Sequence, residues 1–79
     1  MSDIKVDQIL DAKGLSCPLP ILKTKKAITG LGKNQVLKVE TTDPGSQNDM
    51  ASWAQRTGNE ILKVEQDGKA FTFYIKKLV

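Results

Sequence analysis

The chain has 79 residues, with twelve lysines and arginines against nine aspartates and glutamates for a net charge of +3, one cysteine and no histidine. No apolar run approaches the roughly 20 residues of a membrane-spanning helix, which implies a soluble protein without a membrane partner, and a chain this short buries only about 60% of the surface its unfolded form exposes, so its core supports one sheet under one layer of helices and a single domain over residues 1–79. A lone cysteine makes no internal disulfide, and without histidine the usual metal-ligand sets and the Cys/His and Ser/His catalytic pairs are excluded.

The first eight residues lack the basic start, apolar stretch and small-residue cleavage site of a signal peptide, which points to the cytoplasm. The positive excess is modest and reads as spread along the whole chain. It is a weak pull towards acidic partners or RNA, and solvated lysines account for most of it.

Val6, Ile9 and Leu10 predict a first strand that ends at the loop Asp11 to Ser16. A helix then begins at Cys17. Pro18 suits the first helical position, where a missing N–H costs nothing, and Pro20 still lies within the first turn. Gly30 and Gly32 stop this helix. Over residues 35–42, Leu37, Val39 and Thr41 alternate with Lys38 and Glu40, the period of a half-buried strand. Asp43 before Pro44 reads as a capping residue followed by proline at the first helical position, so a second helix is predicted over residues 44–57, closed by Gly58. Its buried face is predicted to hold Met50, Ala51, Trp53, Ala54 and Thr57. Residues 61–66 and 70–78 read as strands joined through Asp67-Gly68, a dipeptide suited to the positive φ of a tight hairpin. Phe71, Phe73 and Ile75 point one way, and Thr72, Tyr74 and Lys76 the other. The order strand, helix, strand, helix, strand, strand is that of an α+β fold, a two-layer α/β sandwich whose four-stranded mixed sheet carries both helices on one face.

The chemistry concentrates in Gly14-Leu15-Ser16-Cys17-Pro18-Leu19-Pro20. A thiolate at a helix N-terminus meets free backbone N–H groups and the positive end of the helix dipole, an effect of about 0.3 to 1 kcal/mol at an exposed site. Through about 1.36 kcal/mol per pKa unit this lowers the thiol by roughly 0.2 to 0.7 units, and raises the thiolate fraction at neutral pH from about 3% towards about 15%. The effect is moderate because Pro18 and Pro20 remove two donors. Moderation suits a carrier, whose thiol must also be a fair leaving group. Free cysteines are commonly buried and inert, but a place after the Gly14 loop and at a helix start argues for reactivity.

Along the first helix Ile21, Ala27, Ile28 and Leu31 share one arc, while Leu19 and Leu22 fall on the far side with Lys23 and Lys26. Apolar side chains beside a thiol and rimmed by lysines form a candidate docking patch; the alternative is that neighbouring loops cover Leu19 and Leu22, and the sequence leaves both open. Lys23, Lys25 and Lys26 are steering or solvated charges rather than catalytic groups. Asp43 reads as a cap, Trp53 as core, and Asp67 and Gly68 as turn residues.

With Cys17-Pro18-Leu19-Pro20 placed at a helix start, the sequence resembles the TusA, or SirA-like, family of sulfur carriers, defined by a Cys-Pro-x-Pro motif. The resemblance extends over Leu10-Asp11-Ala12, Gly14-Leu15, residues 22–26, Asp43-Pro44-Gly45-Ser46 and residues 73–77. It implies that Cys17 accepts sulfur as a persulfide from a cysteine desulfurase or rhodanese-like donor and passes it to an acceptor sulfurtransferase, with no cofactor. The family's routes include tRNA thiolation, molybdenum-cofactor supply and sulfur oxidation, and the sequence does not choose among them. The chain then acts as a sulfurtransferase component rather than a stand-alone enzyme, a monomer making transient protein contacts. Without a second cysteine, the sulfur must leave to a partner's thiol.

A rival reading is a small RNA-binding or regulatory module that does not need Cys17. It has thin support, because Phe71 and Phe73 are needed in the core and only Tyr74 is left on the open face for base stacking. A thiol redox sensor is a third reading, and would have to form mixed disulfides with other molecules.

Overall fold

The computed structural model describes residues 4–16 and 19–78. Its elements are β1 (Gln8–Ala12), α1 (Leu19–Thr29), β2 (Val36–Thr41), α2 (Ser46–Thr57), β3 (Glu60–Asp67) and β4 (Ala70–Lys76). The sheet runs β1-β2-β4-β3, with β1 parallel to β2 and the other two pairings antiparallel. This is the mixed four-stranded sheet and two-layer sandwich that the sequence predicts.

Period-two alternation decides what each strand buries. Leu37, Val39 and Thr41 from β2 and Phe71, Phe73 and Ile75 from β4 turn inwards and are buried. They meet Ile28 of α1 and Met50, Trp53 and Ala54 of α2 in one core, with Ala12 at the end of β1. Burying one such side chain is worth about 1.5 to 3 kcal/mol, so this layer is the main source of stability.

Several boundaries move. β1 runs on through Asp11 and Ala12, which the sequence assigns to a loop, because parallel pairing with Glu40 and Thr41 holds them extended. α2 starts at Ser46, two residues later than predicted, and its N-cap is Gly45. Asp43 therefore shapes the turn before the helix instead of capping it: its main-chain oxygen accepts from the Ser46 N–H at 3.0 Å and hydroxyl at 2.7 Å. Of the predicted α2 face, Met50, Trp53 and Ala54 are buried but Ala51 and Thr57 are exposed, and the buried stripe includes Ser46 in their place. That stripe, Ser46, Met50, Trp53 and Ala54, follows the i, i+4, i+7, i+8 spacing of a helix on a sheet. In the hairpin, Asp67 pairs with Ala70 as strand, so Gly68 and Lys69 form the loop and only Gly68 has a positive φ, +62°. Glycine at the first loop position followed by a negative φ is the II′ pattern, whose twist matches that of the flanking strands. β3 extends one residue further at each end than predicted, and its register shifts between Ile61 and Lys63.

Candidate functional site

Because β1 and β2 are parallel neighbours, with Ala12 opposite Thr41, the chain leaves both strands at the same end of the sheet. Each exit leads to a helix, so the N-termini of α1 and α2 open on one edge. The ends of parallel strands where helices begin are where α/β sheets usually place ligands and reactive groups. The segment bearing Cys17 starts here.

Gly14 turns the chain out of β1 with φ +82°, in the left-handed region that glycine enters without strain. A Cβ there would touch nothing within 4 Å, so the backbone angle and not crowding calls for glycine. Three hydrogen bonds fix the turn. Leu15 N–H donates to the Ala12 carbonyl at 3.3 Å, Lys13 N–H to Asp11 Oδ1 at 3.0 Å, and Gly14 N–H to Thr42 Oγ1 at 2.9 Å. The last ties the loop after β1 to the loop after β2. Beyond it, the Leu19 N–H donates to the Ser16 carbonyl at 2.9 Å, joining the residues that flank Cys17 and Pro18 in sequence. Cys17 and Pro18 themselves, and with them the predicted helix start at Cys17, lie outside the described residues.

The remaining predicted site residues fall into two groups. Pro20 is buried on the inward side of α1, where its carbonyl accepts the Thr24 hydroxyl at 2.7 Å within the helix. Leu19, Leu22, Lys23 and Lys26 all stand on the outward face, with Leu19 44% and Leu22 53% exposed. Together with Lys25 and Thr29 they line a shallow groove of about 490 Å³ that starts at the end of α1 nearest Cys17 in sequence. The inward arc of α1 is filled by Pro20, Thr24 and Ile28, with Ile21, Ala27 and Leu31 packed beside them. The helical wheel thus divides as the sequence predicts. Thr29 was not predicted to face the groove, though its i+3 spacing from Lys26 is a signal for it. Thr42 was not predicted as the tie between loops, because a contact across 28 residues leaves no local pattern.

Charge is distributed differently from the even spread read along the chain. Between Asp11 and Glu40 there are six lysines and no acidic residue, whereas the rest of the sequence holds nine acids against six bases. The positive charge therefore belongs to the segment that includes Cys17 and α1. Among the described residues the ion pairs are Lys13 with Glu40 at 3.8 Å and Lys63 with Glu65 at 3.1 Å, so none involves an α1 lysine.

The sheet face away from the helices carries Tyr74. Its hydroxyl donates to Glu65 Oε1 at 3.0 Å, and Lys38 Nζ stands 5.8 Å from its ring centroid. The hydrogen bonds from Lys63 and then Tyr74 hold the Glu65 carboxyl below its ordinary value. Loss of solvation and then the Glu65 hydrogen bond push the Tyr74 phenol up. On this face Glu65 thus holds both Lys63 and Tyr74. Among the described residues no cluster of potential metal ligands occurs, and no helix is long and apolar enough to cross a membrane.

Residues 8–77 match the family described as Sulfurtransferase TusA. The chain belongs to the TusA family. Within it, the chain is 51% identical over 71 residues to the sulfur carrier protein TusA of Allochromatium vinosum, covering 90% of this chain and 93% of that one. It is 43% identical over 74 residues to the putative sulfur carrier protein YrkI of Bacillus subtilis, covering 94% and 99%. The crystal structure of the SirA-like protein of Desulfitobacterium hafniense superposes with a TM-score of 0.78 at 26% identity, over 91% of this chain and 99% of that one. The TusA match spans every strand and both helices described above.

Proposed function

We propose that this TusA-family chain is a sulfur carrier whose Cys17 accepts sulfane sulfur as a persulfide and hands it to an acceptor protein. The observation that carries this reading is the family match over residues 8–77, which includes the chain's only cysteine, together with relatives named as sulfur carriers over nearly their full length. Residues 1–79 act as one carrier unit in the cytoplasm.

The chemistry is two thiol exchanges. The Cys17 thiolate attacks the outer sulfur of a donor persulfide, one S–S bond forms as another breaks, and the donor leaves as its thiolate. An acceptor thiolate then attacks the outer sulfur now on Cys17, and Cys17 leaves with its electron pair. No net oxidation occurs, and neither a metal nor an organic cofactor takes part. Gly14, Pro18 and Pro20 set the loop and helix start; Leu19, Leu22, Lys23 and Lys26 meet the partners. Donors are a cysteine desulfurase or a rhodanese-like protein, and the acceptor is a second sulfurtransferase. Two encounters per cycle call for small, transient interfaces and a monomeric carrier.

The test is intact-protein mass spectrometry without reductant, after incubation with a cysteine desulfurase and cysteine, and separately with a rhodanese and thiosulfate. A gain of about 32 Da, one sulfur atom, removed by dithiothreitol and absent from Cys17→Ser, is the expected result. No gain from either donor would sink the carrier reading.

A further inference from the structure

The outward face of α1 combines two properties that a helix on a small sheet does not need for folding. Leu19 and Leu22 are exposed large apolar side chains one turn apart, and Lys23, Lys25 and Lys26 surround them along the same groove. A solvated face would interleave both signs of charge, as the opposite face of the sheet does with Lys63 and Glu65. Here no acidic residue occurs from Ala12 through Val39, and no α1 lysine has an ion-pair partner among the described residues. The uncompensated charge is local: outside that segment acids outnumber bases by nine to six.

Resting on the carrier reading, we infer that the α1 groove is the docking surface for acidic sulfur-exchange partners: a partner's cysteine lies beside a segment rich in Asp and Glu, with an apolar side chain that seats between Leu19 and Leu22. Charge complementarity commits the occupant to an acidic protein. The lysines around the groove steer the encounter, since surface potentials of one sign raise association rates by about 10- to 1,000-fold. The leucines supply contact area once the partner arrives. A second copy of this chain is excluded as the preferred occupant of the same face, because lysines would meet lysines.

The probe is a pair of short synthetic peptides, each with a cysteine next to leucine, one bearing three aspartates and the other three lysines. Each cysteine is activated as its mixed disulfide with thionitrobenzoate. The Cys17 thiolate attacks the peptide sulfur, a new S–S bond joins protein and peptide, and thionitrobenzoate leaves as a coloured thiolate that reports the rate. At low salt the acidic peptide is expected to react about tenfold faster than the basic one. The ratio should fall towards unity near 1 M salt, where the screening length is only about 3 Å. Lys23→Glu/Lys26→Glu should cancel or invert the preference. Lys63→Glu/Lys76→Glu makes the same charge change on the sheet face away from the helices and should leave most of it.

Equal rates for the two peptides, equal effects of the two double variants, or no reaction with either peptide would each overturn the docking surface. The exchange needs only a reachable thiol, so a peptide preference without persulfide loading would retain the docking face and remove the carrier reading. Loading without any preference would do the reverse.

Discussion

The two helices lie on the same face of the sheet and have nearly the same length, yet they use their apolar residues in opposite ways. α2 turns Met50 and Trp53 into the core, where Met50 is fully buried and Trp53 3% exposed, and shows water mostly Gln47, Asn48, Ser52, Gln55 and Arg56. α1 builds its inward seam from Pro20, Thr24, Ala27 and Ile28 and leaves Leu19 and Leu22 outside among lysines. Burying a leucine contributes about 1.5 to 3 kcal/mol, so a sequence shaped for stability alone would place these two inwards. α2 holds the sandwich together, and α1 offers a surface.

The largest effect should follow from emptying the α2 side. Trp53→Ala removes a buried aromatic, which typically costs about 3 to 5 kcal/mol, a large part of the stability of a small domain; urea unfolding followed by circular dichroism will show it. Trp53→Phe should cost clearly less, because the indole Nε1–H is buried without a hydrogen-bond partner among the described residues, and removing it breaks no bond. Next comes Ser46→Ala at the start of α2. Its hydroxyl lies 2.7 Å from Thr41 Oγ1 and donates to the Asp43 carbonyl at 2.7 Å, all in buried or half-buried surroundings. Taking this partner from the buried Thr41 hydroxyl should cost about 1 to 3 kcal/mol, while the Asp43 carbonyl keeps the Ser46 N–H. Leu22→Ala on α1 should change stability by no more than about 0.5 kcal/mol, as surface substitutions usually do, while lowering the rate of sulfur transfer from a protein donor. If Leu22→Ala destabilised the fold as much as Trp53→Ala, the division of labour between the helices would collapse.

Much of this arrangement can be read in the sequence, for a definite reason. Leu37, Val39 and Thr41, and Phe71, Phe73 and Ile75, sort inwards because strand geometry sends alternate residues to opposite faces, and a run of six suffices to show it. The outward position of Leu19 and Leu22 follows from the helical repeat. What depends on partners distant in the chain is less legible. β1 extends through Ala12 only because Thr41 lies beside it, and the Gly14–Thr42 tie spans two loops. The start of α2 misleads because Asp43-Pro44 is a good capping pair, yet Ser46 uses the Asp43 main-chain oxygen and the helix begins later. The segregation of charge was visible in the order of residues but not in their totals. The interval from Asp11 to Glu40 shows it once three of its six lysines are placed on α1.

The smallest effect tests the comparison from the sheet's other face, where Lys63, Glu65, Tyr74 and Lys38 satisfy one another. Glu65 is held below the ordinary carboxylate value of 4.5, first by its hydrogen bond with Lys63 and then by Tyr74. A folded-state value below the unfolded one means that Glu65 contributes stability above the unfolded value and loses that contribution as pH falls through the lowered one. Tyr74→Phe removes one of the two hydrogen bonds that cause the depression. The difference in stability between wild type and Tyr74→Phe should therefore be small and level around neutral pH, and should shrink as pH falls below about 4.5, where the wild-type carboxylate takes up its proton. The Tyr74 phenol, raised by lost solvation and by Glu65, works in the other direction: its contribution is complete below its unfolded value of 10.0 and declines as pH rises through the higher folded one. Neither titration should alter the preference of Cys17 for acidic peptides between pH 6 and 8, because the charges that set that preference are lysines on α1. A peptide preference that followed Tyr74→Phe would mean that the open sheet face, and not α1, meets the partner.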